Sequence, residues 1–149
     1  MPLDPQDHVR DGYLLLTTAA RLVQRRFDEA LAPLGLTRAA VIALKAMSHH
    51  PMNQEQLAAV VHVQSQTLGR VLTRLEADGL VTRTRDPLDR RQFQVEMTDA
   101  GEAALCAARE AESAALPSDF DGWEILREQL SRFVASFSAP RQPRDSTRN

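Results

Sequence analysis

Apolar residues follow helical spacing over most of the chain. Between Asp7 and Ala32, the positions Tyr13, Leu16, Ala20, Val23, Phe27, Ala30 and Leu31 recur at steps of three and four. That pattern predicts an amphipathic helix, stopped by Pro33 and Gly35. Thr37 is placed to cap a second helix, with Val41, Leu44 and Met47 inward and His49-His50-Pro51 ending it. Asn53 followed by Gln56 has capping-box spacing and opens a short helix bearing Leu57, Ala58 and Val61. After a break at His62–Val63, Ser65 or Gln64 caps a longer helix. Its Leu68, Val71, Leu72 and Leu75 share one face, and Gly79 ends it.

The period then changes. Leu80–Arg85 and Phe93–Met97 alternate, and Asp86-Pro87-Leu88-Asp89 between them supplies turn chemistry, so two short strands are expected to form a β-hairpin. Thr98 or Asp99, with Glu102 behind, caps a long Ala-rich helix running to about Leu116. Pro117-Ser118-Asp119 is a break and a new cap, before a last helix carrying Phe120, Trp123, Leu126, Leu130, Phe133, Val134 and Phe137. The polar tail 139–149 is expected to be disordered.

Two helices with a tight break, the second closed by Gly, and then a hairpin is the order of a winged helix-turn-helix. With the leucines of the second helix inward, Gln66, Arg70, Thr73 and Ala77 face out, and Gln64, Ser65 and Thr67 occupy the first turn. Free N–H groups at a helix N-terminus favour a phosphate. The outward face is small and polar around one Arg, a shape that enters a major groove about 12 Å wide, where Arg reads guanine and Gln reads adenine. Gln66 and Arg70 are therefore assigned to base edges with Thr73 alongside, and Ser65, Thr67 and Arg74 to phosphates, with Gln64 part of the same surface. An ordinary solvated helix face is the plainer alternative. On the hairpin, Asp89-Arg90-Arg91 lies at the turn, with Arg83 and Arg85 on the incoming strand. Arg90 suits the narrow minor groove, while Arg91 is expected to pair with Asp89 and shape the wing. Surface ion pairs worth about 0–1 kcal/mol each are the alternative there.

Charge supports this only after division. The 149 residues carry a formal net charge of −2, yet the acidity is concentrated in residues 99–138, with eight acids against three Arg. Residues 62–98 hold six Arg against five acids. Lys45 is the single lysine among 18 basic residues. Guanidinium is the better group for bidentate contacts to phosphate and guanine.

These residues carry a resemblance. Leu57-Ala58, Val63-Gln64-Ser65-Gln66-Thr67-Leu68-Gly69-Arg70, Arg74-Leu75-Glu76 and Gly79-Leu80-Val81-Thr82-Arg83 look like the MarR (multiple antibiotic resistance regulator) family. The wing motif of that family, Asp-x-Arg, five intervening residues, then Leu-Thr, is matched by Asp89, Arg91, Met97 and Thr98, with Met in place of Leu. Leu34-Gly35-Leu36-Thr37 also fits, and the likeness spans about residues 10–138. Gly69 departs from the pattern, standing where the family often has a small hydroxyl residue. The resemblance implies a mainly α fold with a β-hairpin wing, in one domain spanning 1–149. Helices in 7–32 and 99–138 would dimerise it, and 37–98 would form the DNA-binding lobe. It implies a homodimeric transcription regulator, read here as a repressor released from a pseudo-palindromic operator by a small-molecule ligand or an oxidant. Double-stranded DNA, a second copy and a small effector are the expected partners.

Other chemistry finds little support. No Gly-rich phosphate loop, HExxH or G-x-S-x-G is present, so neither catalysis nor a cofactor is expected. The four histidines are scattered, and no metal site is expected. Cys106, mid-helix among alanines, reads as a small buried hydrophobe, with an oxidation sensor as the alternative. No apolar run approaches a membrane span and MPLDPQDHVRDG does not read as a secretory signal, so a cytoplasmic location is expected. Two rival functions stay open: a winged-helix protein-interaction module that does not touch DNA, and a small enzyme using Cys106 as nucleophile.

Overall fold

A computed structural model describes residues 4–62 and 65–138. They form two compact units, one running through Leu116 and one starting at Pro117. The first holds α1 (Pro5–Leu31), a 3-10 turn (Ala32–Leu34), α2 (Arg38–Ala46), β1 (Met52–Asn53) and α3 (Gln54–Val61). It continues with α4 (Ser65–Ala77), β2 (Val81–Arg85), β3 (Phe93–Met97) and α5 (Asp99–Ala115). The second holds α6 (Trp123–Ser136).

Local side-chain chemistry sets most helix ends. α1 starts slightly earlier than the apolar stripe suggests, because the Asp4 carboxylate accepts from the Gln6 N–H at 3.1 Å and Pro5 follows as the first helical residue. Thr37 caps α2 through the Ala40 N–H. Asn53 and Gln56 form both bonds of a capping box, at 2.7 and 3.2 Å. α3 ends on His62, which adopts the left-handed conformation with φ 56°. Gly79, with φ 73°, closes α4 while the Leu80 N–H reaches back to the Leu75 carbonyl at 2.9 Å. The capping residue of α4, expected at Gln64 or Ser65, lies outside what the structure describes.

The core belongs to the winged lobe. Leu44, Leu57, Leu68, Leu72, Val81 and Val95 are almost wholly buried together, and Leu31 from the end of α1 and Leu105 and Ala108 from α5 complete the cluster. Each such side chain contributes about 1.5–3 kcal/mol by leaving water. The sheet has three strands in the order β1-β3-β2, all antiparallel, rather than the two expected. The added strand is two residues long, pairing Met52 with Val95 and Asn53 with Gln94. A segment so short has no period to read, and only its partner β3 makes it a strand. Thr98 locks the base of the hairpin: its hydroxyl donates to the Gly79 carbonyl at 2.6 Å and accepts from the Gly101 N–H at 3.1 Å.

α1 packs along α5, yet Leu31 is its only buried residue among 27. Tyr13, Leu15 and Leu22 stay more than half exposed. In the second unit, the cap expected at Pro117-Ser118-Asp119 does not form. The chain instead bends around the Phe120 ring, which meets Trp123 edge-to-face at 5.1 Å, and α6 begins after Gly122 without a side-chain cap. No residue of α6 is buried, and Ile125, Phe133, Val134 and Phe137 are exposed. The expected disorder of the tail concerns residues outside those described.

Candidate nucleic-acid interface

α4 is held by one side only. Leu68, Leu72 and Leu75 anchor it to the core, while Gln66, Thr67, Arg70, Thr73 and Arg74 are exposed. The 3.6-residue period therefore delivers the outward face that the sequence implied. Gln64 and the Ser65 side chain fall outside the description. The stems of Arg70 and Arg74 border, with Thr37 and Ala40, a cleft of about 180 Å³ where the start of α2 meets α4. Among the described residues, no carboxylate lies within 4 Å of the guanidinium of Arg70, Arg74, Arg90 or Arg91. Thr73 differs from its neighbours. Its hydroxyl donates to the Gly69 carbonyl at 2.8 Å and accepts from Arg83, so its proton is already committed.

The wing is shaped by carboxylates bonded to backbone. Asp86 accepts from the Leu88 N–H at 2.8 Å, and the Asp86 N–H closes the loop on the Gln92 carbonyl. Asp89 accepts from the Arg91 N–H at 3.1 Å. This corrects the expected ion pair: Asp89 does shape the turn, but through the amide of Arg91 and not its guanidinium, because a tight turn presents N–H groups to an Asx side chain two residues back. The result leaves the Arg91 and Arg90 side chains both exposed. Leu88 projects beside them, 96% exposed.

Arg83 and Arg85, by contrast, are engaged within the protein. Arg83 pairs with Glu76 at 3.3 Å across α4 and β2, and this hydrogen bond and charge hold the Glu76 carboxyl below the usual carboxylate range. Both guanidiniums lie against the Phe93 ring, at 5.7 and 5.1 Å from its centroid. The only hint in the sequence is the alternation that places Arg83 and Arg85 on one strand face. Their partners depend on how the strand crosses α4.

Cys106 is exposed, which overturns its reading as a buried hydrophobe. The face α5 buries runs through Gly101, Leu105, Ala108 and Glu112, and Cys106 lies beside it. Glu112 is instead the buried polar residue of that helix, bonded to Lys45 of α2 at 2.8 Å. Among the described residues, no group of three or more His, Cys, Asp or Glu could hold a metal ion.

A recognition helix exposed on one side, beside an arginine-tipped hairpin, defines a winged-helix transcription regulator. The MarR family profile matches residues 34–92. The HTH-type transcriptional repressor Rv2887 of Mycobacterium tuberculosis is 30% identical over 132 residues, covering 88% of this chain and 84% of that protein. The structure resembles that of the transcriptional regulator BldR from Sulfolobus solfataricus, with TM-score 0.78 and 28% identity over 90% of this chain and 99% of the other. It also resembles CouR from Rhodococcus jostii RHA1 bound to p-coumaroyl-CoA, at TM-score 0.72 and 27% identity, covering 88% and 93% of the two chains. The chain belongs to the MarR family.

Proposed function

We propose that the protein is a homodimeric, sequence-specific repressor that releases its operator when a small effector binds. The observation that carries this reading is the outward face of α4 standing beside a wing whose two tip arginines have no acidic partner among the described residues. Gln66 and Arg70 contact base edges, Thr67 and Arg74 hold phosphates with Ser65 and Gln64, and Arg90 enters the minor groove beside Arg91 and the turn set by Asp89. Thr73 reaches a base through its methyl group. CouR has been captured both on a 23-mer DNA duplex and with p-coumaroyl-CoA, which supports release by ligand. A second copy covers the apolar residues exposed on α1 and α6, so that residues 7–32 and 99–138 dimerise and 37–98 form the reading lobe. Two-fold symmetry then presents two recognition helices about one turn of DNA apart, roughly 34–36 Å.

No helix among the described residues is long and apolar enough to cross a membrane; it is membership of a family of transcription regulators that supports a cytoplasmic role without enzymatic activity. Cys106 is exposed in the single chain but belongs to the 99–138 segment that dimerises, so its reach by an oxidant is tested on the dimer itself. If Cys106→Ser represses normally and still responds to peroxide, the trigger is a ligand and not this thiol.

The decisive experiment selects duplexes from a random pool with the wild-type protein and measures binding by fluorescence anisotropy across salt. Arg70→Ala should cost about 1–3 kcal/mol and relax the choice at one position. Arg74→Ala should weaken every sequence alike and flatten the salt slope by about one unit. Failure to enrich any duplex sinks the reading in favour of a protein-interaction module.

A further inference from the structure

A line of contacts joins the middle of α4 to the tip of the wing. Thr73 Oγ1 donates to the Gly69 carbonyl at 2.8 Å, and Arg83 Nη2 donates to that Oγ1 at 3.4 Å. Arg83 also donates from Nε and Nη2 to the two Glu76 oxygens, at 3.4 and 3.3 Å. Its guanidinium lies against Phe93, as does that of Arg85, and Arg85 Nη1 donates to the Arg90 carbonyl at 2.6 Å. The register explains the line. Arg83 and Arg85 stand on the sheet face they share with their partners Val95 and Phe93, the same face that carries Val81 into the core.

We propose that Arg83 is a positioning residue, which with Phe93 and Arg85 fixes where the wing tip stands relative to α4, so that Arg90 meets its groove when α4 is seated. The inference rests on the DNA-binding reading above. Two facts favour direction over stability as the purpose. Val81 and Val95 are the last fully buried residues of the hairpin, and β1 pairs no further toward the tip than Gln94, so the ribbon beyond is two-stranded, which in isolation is marginal in water. A half-exposed carboxylate paired with one guanidinium adds little stability by itself. A contact made by a loop, however, needs its support locked in place by neighbouring side chains. The Arg83 side chain is only 20% exposed and is engaged by Thr73, Glu76 and Phe93, so it is not presented to DNA.

The test uses Glu76→Ala, Arg83→Gln and Arg90→Ala, singly and with Arg90→Ala added to each of the other two. The probe is a duplex selected from a random pool by the wild-type protein. Removing an acid beside DNA should tighten binding on charge alone, whereas positioning predicts that Glu76→Ala weakens it about fivefold. Arg90→Ala should lower the salt slope by about one unit in the wild type and far less in either background, because a misplaced tip has no contact to lose. Tighter binding by Glu76→Ala, or an Arg90→Ala loss that simply multiplies with the others, overturns the proposal. Additive slope losses for Arg83→Gln and Arg90→Ala also overturn it, since Arg83 would then be a phosphate contact itself. A wild-type protein that enriches no duplex removes the function and this inference together, and so differs from all of these outcomes. Should Arg83→Gln fold poorly, Glu76→Ala carries the test unaided.

Discussion

The same substitution should have opposite signs in two helices of this protein. At Gly101, a Cβ would overlap the Leu80 carbonyl oxygen and come within 2.6 Å of Met97 Cγ. The methionine can turn aside. The carbonyl cannot easily do so, because Leu80 accepts the Thr98 N–H at 3.0 Å, the bond that seats α5 against the base of the wing. Overpacking against backbone costs typically about 1–3 kcal/mol, and alanine returns up to about 1 kcal/mol of helix propensity. Gly101→Ala should therefore lose about 1–2 kcal/mol. At Gly69, the nearest neighbour of a Cβ is Gln54 Nε2 at 3.5 Å, ordinary contact, so Gly69→Ala should gain about 0.5–1 kcal/mol. Each kcal/mol corresponds to roughly 2–4 °C in a chain of this size. Paired thermal and urea unfolding of both variants at one protein concentration reads the difference directly. If Gly101→Ala is as stable as wild type, α5 does not sit against the wing base as described and the close-packing argument fails.

Further outcomes follow from the charges and the apolar surface. Lys45→Met should lower stability by about 1–2 kcal/mol, since it strands Glu112 at 12% side-chain exposure, whereas Arg25→Met in a largely exposed pair should change the urea midpoint little. Glu76 is held below the ordinary carboxylate range by the Arg83 hydrogen bond, so its contribution is complete above the unfolded value of about 4.3 and fades as pH falls through the lower folded value. Accordingly, the melting temperature of Glu76→Gln should lie below wild type at neutral pH and converge with it in acid; a constant gap would contradict this. Light scattering at micromolar concentration should give about 33 kDa, twice the chain mass of 16.6 kDa, and a stable monomer would remove the dimer from the proposal.

What the chain dictated by itself was local. The caps at Thr37, Asn53–Gln56 and Thr98 could be read because each side chain bonds an amide three residues away. The buried stripe of α4 and its polar opposite face could be read because a helix repeats every 3.6 residues whatever surrounds it. Tertiary structure decided everything that required two distant segments to meet. β1 exists only because β3 runs beside Met52, and Arg83 is engaged only because β2 crosses α4 at Glu76. Cys106 is exposed because α5 turns the Gly101–Leu105–Ala108 side inward, a choice that its many alanines left open. Asp89 bonds an amide rather than a guanidinium because the turn presents the amide at fixed distance, while a long side chain must give up conformational freedom to reach it. Spacing along a chain encodes neighbours up to about one helical turn away, and beyond that, register and crossing geometry determine which groups come together.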